Sequence, residues 1–137
     1  MPYKMSWLVD KRIIYTRMYG HVTSDEMAAY NQEMETFVQH SELLVHTLTN
    51  ATDTTGTDMG LRDLQNTSFS DVANLGWAIY VSPSKINRFF ASVITQLSHK
   101  RGRQFATLEE AFKFLHEMDD TLPLLSTEMV ISQTETA

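Results

Sequence analysis

The run Leu75-Gly76-Trp77-Ala78-Ile79-Tyr80-Val81 carries no charged side chain and is rich in branched and aromatic residues. Such a strand has no face to leave in water, so it must be buried on both sides, as the central strands of parallel sheets are. The next residues tighten the constraint. Ser82-Pro83 reads as a helix start, with serine as cap and proline in the first helical position. Ile86, Phe89, Phe90, Val93, Ile94 and Leu97 then recur at i, i+3, i+4, i+7, i+8 and i+11, an apolar stripe expected to pack on the sheet. Gly102 is placed to end this helix, after His99, Lys100 and Arg101 in its last turn.

The rest of the chain fits around that unit. Residues 3–9 alternate, with Tyr3, Met5, Trp7 and Val9 on one side and Lys4, Ser6 and Leu8 on the other. Asp10-Lys11 makes a turn, and residues 12–19 form a second strand that Gly20 ends, so the two are antiparallel neighbours. Thr23-Ser24-Asp25-Glu26 is a capping box for a helix whose apolar face is Met27, Tyr30, Met34, Phe37 and Val38, stopping near His40-Ser41. Leu43 to Thr49 is an interior strand, Asn50 to Gly60 a loop, and residues 58–67 a short helix carrying Met59, Leu61 and Leu64. Arg103 to Ala106 is a strand, and Thr107-Leu108-Glu109-Glu110 a second capping box ahead of a helix that buries Ala111, Phe112, Leu115 and Met118.

The order β-β-α-β-α-β-α-β-α predicts an α/β domain. Its sheet is mixed and mostly parallel, of about five strands starting with an antiparallel hairpin, with helices packed on it. The domain is expected to span residues 1–118, leaving 119–137 as a C-terminal tail in which Leu122-Pro-Leu-Leu125 and Met129-Val-Ile131 are apolar enough to pack on something.

Charge and composition narrow the function classes. The chain has no cysteine, which excludes disulfides, thiolate metal sites and cysteine nucleophiles. No apolar run approaches the ~18 residues of a membrane span. The N-terminus lacks a signal-type apolar stretch, so a cytoplasmic location without membrane insertion is expected. Net charge is −6, distributed as +3 over residues 1–20, −8 over 21–75, +5 over 76–105 and −6 over 106–137. This alternation leaves either one acidic and one basic face, or helix ends complemented locally. The basic stretch with Lys85, Arg88, Lys100, Arg101 and Arg103 is interleaved with Phe89 and Phe90, but those rings fit the core stripe and the chain is acidic overall, so nucleic acid is not expected as a partner. None of the histidines (His21, His40, His46, His99, His116) has a metal-ligand spacing, and His46 reads as a packed, hydrogen-bonded strand histidine. No metal or cofactor is expected.

The tryptophan-bearing first strand, Ile13 to Glu26, Leu75 to Val81 with its amphipathic helix, and the closing Arg103-Gln-Phe-Ala-Thr-Leu-Glu-Glu-Ala111 together resemble the STAS-like, SpoIIAA-like group of small bacterial proteins. The resemblance spans residues 3–118 and includes the anti-sigma-factor antagonists. It implies protein–protein or small-ligand binding rather than catalysis. Asp53-Thr54-Thr55-Gly56 stands where those antagonists carry Asp-Ser-Ser-Gly, with Thr55 at the phosphorylated position. A phosphate beside a helix N-terminus would be stabilised there and would repel an acidic partner.

In a parallel sheet the loops after the strands gather at one edge, where ligands bind. That edge would collect His21 and Thr23, then Asp53, Thr54 and Thr55, then Ser82, Ser84 and Lys85. Of these, His21, Asp53, Thr54, Thr55, Ser82 and Lys85 are the candidate binding residues, with Thr55 the candidate phosphorylation site. No nucleophile elbow or phosphate-binding glycine loop accompanies them. The expected function is a non-enzymatic protein-interaction or regulatory domain, acting on a protein partner or as a homo-oligomer. The alternatives are a carrier or sensor of an apolar small molecule, for which the eight methionines would supply an adaptable lining, and, further off, a hydrolase built on the strand-end loops.

Overall fold

A computed structural model of the chain describes residues 3–42, 44–57, 75–98, 101–123 and 125. The elements are β1 (Tyr3–Val9), β2 (Ile13–Val22), α1 (Ser24–Gln39), β3 (Val45–Thr57), β4 (Leu75–Val81), α2 (Lys85–Ser98), β5 (Gly102–Phe105) and α3 (Leu108–Met118). The short helix expected over residues 58–67 lies outside the described residues.

The five strands form one sheet in the order β1-β2-β3-β4-β5. β1 pairs antiparallel with β2, and every later pair is parallel. The mixed sheet that the sequence predicts is thus present. Strand order equals chain order, so each parallel crossover steps in the same direction. Right-handed crossovers then carry α1 and α2 over one face of the sheet, while α3, which follows the last strand, is free to cover the other. The packing agrees for α1 and α3. Tyr30, Met34 and Val38 of α1 join Tyr3, Ile14, Met18, Val45 and Ala51 on the first face. Ala111, Phe112, Phe114 and Leu115 of α3 join Leu8, Ile13, Tyr15, Leu48, Ile79 and Val81 on the second. Successive residues of β2 serve opposite cores, which is why Ile13, Ile14, Tyr15 and Thr16 are all buried.

Four local features differ from the sequence reading, each for a physical reason. In β1, Tyr3, Met5 and Trp7 share the α1 face as expected, but the register shifts between Trp7 and Val9, and Val9 packs with Leu8 on the α3 face. A bulge there rotates the strand end. Second, Gly20 does not end β2. It takes φ +68, and the strand runs on to Val22. Its backbone continues to be paired because residues 50–57, expected as loop, extend β3 alongside it: Tyr19 faces Asp53, Gly20 faces Thr54 and Val22 faces Thr57. The threonines of this stretch are β-branched and suit a strand. Third, Ser82 is not the cap of α2. Its N–H is bonded to the Phe105 carbonyl at 3.0 Å, so the strand geometry persists through it. Ser84 is the cap instead, its Oγ accepting from Asn87 N–H at 3.2 Å. Fourth, Met118, expected in the buried face of α3, is 50% exposed, being the last residue of that helix. Leu122 and Leu125, apolar enough to pack, are buried against the α3-side core.

The Thr23–Glu26 capping box is as read, and Thr107 is the cap of α3. Thr23 Oγ1 accepts from Glu26 N–H at 3.2 Å while Glu26 Oε1 accepts from Thr23 N–H at 3.1 Å. Thr107 Oγ1 accepts from Glu110 N–H at 3.3 Å at the start of α3. Replacing Thr23 with alanine is expected to lower stability by about 1 kcal/mol in urea unfolding, with the slope of the transition unchanged.

Candidate functional site

The strand-end edge holds the residues singled out from the sequence, but they are engaged locally rather than with one another. Asp53 pairs with Arg17 at 2.9 Å, and the Arg17 guanidinium also lies over the Tyr19 ring. Thr54 Oγ1 donates to the Ala51 carbonyl at 2.8 Å. Ser82 is buried, and its Oγ accepts from Ser84 N–H at 3.2 Å. His21 and Thr55 are exposed on neighbouring strands, and Lys85 is exposed at the first position of α2. Thr55 therefore sits within β3 itself, and the residues that follow Thr57 lie outside those described. Tyr3 and Tyr80 are not poised as acids or bases. Burial and the Glu33 carboxylate, which accepts its hydroxyl at 2.8 Å, push Tyr3 up to about 12, and burial pushes Tyr80 up to about 12 despite a bond with Ser82.

At the opposite edge lies a polar cluster that the sequence only half revealed. His46 was readable as a packed core histidine, and it is 1% exposed. It sits at a bulge: Val45 faces Leu75 and Thr47 faces Ala78, so Gly76 and Trp77 together oppose His46. The bulge frees the Trp77 N–H from the ladder, and His46 Nδ1 accepts it at 3.0 Å. The ring proton is therefore on Nε2, which donates to Asp119 Oδ2 at 2.9 Å. Arg12 Nη2 donates to the same oxygen at 2.7 Å and to Thr121 Oγ1 at 2.9 Å, and its Nε donates to the Leu44 carbonyl at 3.2 Å. Thr121 closes the cluster by donating its hydroxyl and its N–H to Asp119 Oδ1.

A histidine–carboxylate contact invites comparison with a hydrolytic dyad, and the geometry argues against one. In such a dyad the second ring nitrogen faces a nucleophile. Here that nitrogen is occupied by a backbone N–H and the ring is buried. The cluster is a clamp that ties the residue after α3 to the starts of β2 and β3.

Burial alone would raise the Asp119 carboxyl, but the bonds from Thr121 and His46 and the Arg12 guanidinium override it and hold the group at about 2. A depressed carboxylate stabilises the fold above its unfolded pKa and loses that contribution as the pH falls through the folded value. Thermal midpoints of wild type and Asp119→Asn are therefore expected to differ most above about pH 4 and to converge as the pH falls toward 2. A gap that stays constant over that range would contradict the clamp.

The largest departure from the sequence reading is on α2. The helix forms where expected, but its apolar stripe is not buried along its length. Ile86 is 67% exposed, Phe89 64% and Phe90 42%. The Phe89 and Phe90 ring centroids are 6.0 Å apart, so the three side chains form one apolar ridge on the first turns of the helix. Ala91, Ser92 and Val93 are half-buried. Arg88 donates to the Ser82 carbonyl at 2.8 Å, a bond that ties this turn back to the end of β4. Scattered exposed apolar residues need no explanation, but three adjacent large ones on one helix form a candidate contact surface.

Among the described residues no helix is long and apolar enough to cross a membrane. No protein-family model matches the chain. No curated protein matches it either. Among solved structures it is similar to an uncharacterised protein of the DUF3478 family with a SpoIIAA-like fold from Shewanella loihica PV-4, with a TM-score of 0.59 and 10% identity, covering 82% of this chain and 91% of that one. It is also similar to the anti-sigma factor antagonist SpoIIAA in its unphosphorylated form, with a TM-score of 0.54 and 16% identity, covering 84% of this chain and 96% of that one. At these identities the likeness is one of fold: the chain has a SpoIIAA-like fold.

Proposed function

We propose that this chain is a non-catalytic protein-interaction domain that engages its partner through the first turns of α2. One observation carries the reading: Ile86, Phe89 and Phe90 stand in water on a helix whose neighbours are packed. Three further points support it. Asp53, Thr54 and Ser82 of the strand-end edge are engaged in local bonds. The buried histidine has both nitrogens occupied. One protein of similar fold is an anti-sigma factor antagonist, a regulator by name.

The test separates binding from folding. Phe89→Ser removes an exposed ring, so the unfolding free energy is expected to change by less than about 0.5 kcal/mol. Loss of a central aromatic anchor is expected to weaken partner binding by at least about 30-fold. Tagged full-length wild type and variant, recovered from source cells and compared by quantitative mass spectrometry, give the readout. Equal partner recovery by the two, or a variant that is markedly destabilised, would overturn the proposal.

A further inference from the structure

We infer that the α3 side of the sheet carries, over β1 and β2, a site for the oxyanion of a small molecule, a carboxylate or a phosphate, held by Lys4, Arg17 and Tyr15. The inference is independent of the α2 contact proposed above. Strand register carries it. Tyr3 and Met18 pair on the α1 side, so the next pair, Lys4 opposite Arg17, points to the other face. Two cations directly opposite on antiparallel strands repel each other. Tyr15 comes two residues before Arg17 and lies in the α3-side core, which puts its hydroxyl on the same face. From β3, Asn50 pairs with Arg17. The register then shifts, so that Asp53 comes opposite Tyr19 and reaches Arg17 Nη2 at 2.9 Å. The guanidinium lies over the Tyr19 ring, 4.9 Å from its centroid. Lys4 and Asp53 are exposed, and Arg17 is half-buried.

The hydrogen bonds of this group are unbalanced toward donors. Asn50 Oδ1 accepts from Thr52 N–H at 3.1 Å and from Thr52 Oγ1 at 2.6 Å. That fixes the amide so that its Nδ2 donates to the Tyr15 hydroxyl at 3.0 Å. A hydroxyl oxygen that accepts such a bond still has its own proton to give. Tyr15 is 3% exposed, and among the described residues nothing accepts that proton. The Arg17 and Asp53 charges both act on this hydroxyl, so it stands beside them. Arg17 gives Nη2 to Asp53, and Lys4 has no ion pair among the described residues. The group thus offers an ammonium, the rest of a guanidinium and a buried O–H. Against them stands one carboxylate, 55% exposed, whose pair with Arg17 is screened by water. An oxyanion accepts from all three donors and takes Arg17 over from Asp53. A cation would meet two like charges.

The experiment titrates the isotopically labelled full chain with inorganic phosphate and, separately, with acetate, against potassium chloride at matched ionic strength. NMR follows the side-chain amide of Asn50 and the Nε–H of Arg17. Saturable shifts at both groups are expected with at least one of the two oxyanions. Phosphate alone would identify the ligand as phosphorylated, acetate alone as a carboxylic acid. Lys4→Gln and Tyr15→Phe are each expected to weaken binding about fivefold, the second without any change of charge. Asp53→Asn is expected to tighten binding about threefold, because it removes the internal competitor for Arg17. Shifts no larger than those in chloride, or saturation confined to other parts of the chain, would overturn the inference. So would binding that either Lys4→Gln or Asp53→Asn leaves unchanged, since both alter exposed side chains and leave the core intact.

Discussion

Replacing Asp119 with alanine is expected to destabilise the domain by about 3 kcal/mol, read as a lowered urea midpoint with the slope unchanged. The carboxylate accepts from three side chains belonging to three separate parts of the chain: Arg12 before β2, His46 in β3 and Thr121 beyond α3. Removing it leaves the guanidinium without its counter-charge and the buried Nε2–H of His46 without its acceptor. Unmatched buried groups cost more than the bonds they lose. A chain cut after Met118 should be weaker still, because it also exposes the surface that Leu122 and Leu125 cover. If the truncated chain unfolded at the same urea concentration as the full one, the clamp would have no energetic role.

Gly76→Ala carries the second large effect, a loss of about 2–3 kcal/mol. A Cβ at this position would lie 2.6 Å from His46 Nδ1 and 2.8 Å from Cε1, with Leu44 Cγ at 3.1 Å. The ring cannot swing aside, because Trp77 N–H holds one nitrogen and Asp119 the other. Glycine is required here by close approach and not by an unusual backbone angle. Amide exchange at Trp77 is expected to accelerate in the variant as its bond to His46 is strained. The combination with His46→Ala gives a sharper check. Once the ring is gone the two shortest contacts of the added methyl are relieved and only Leu44 Cγ remains near it, so the double variant should be more stable than the sum of the two single losses predicts. Strict additivity would mean that Gly76 and His46 do not act as one unit.

The sheet was legible in the sequence because its strands carry strong local signals. Leu75 to Val81 had to be interior, and the hairpin of residues 3–19 had to be antiparallel. The Thr23 to Glu26 capping box and the Thr107 cap were readable because the residues that make them are close in sequence. What escaped depends on partners far along the chain. Residues 50–57 look like a loop by composition, and they become strand because β2 extends past Gly20 and its backbone needs a neighbour. Asp119 looked like the start of a tail, since nothing near it announces Arg12 or His46. The bulge at Gly76 is invisible in a sequence because it is a matter of register.

The misreading of α2 is the most informative. Periodicity identifies an apolar face but not what that face meets. Ile86, Phe89 and Phe90 fit the same stripe as Val93, and only the position of the helix over β4 and β5 decides that its first turns overhang. A stripe of this kind has the same sequence signature whether it covers a core or awaits a partner.

Hydroxyl-radical footprinting tests the central claim most directly, by comparing oxidation of Phe89 and Phe90 with that of Phe112 and Phe114 in the purified protein and in intact source cells. The account predicts rapid oxidation of Phe89 and Phe90 in the purified protein, slow oxidation of the α3 phenylalanines under both conditions, and marked protection of Phe89 and Phe90 in cells. Protection of Phe89 and Phe90 already in the isolated monomer, or equal oxidation in both settings, would contradict it.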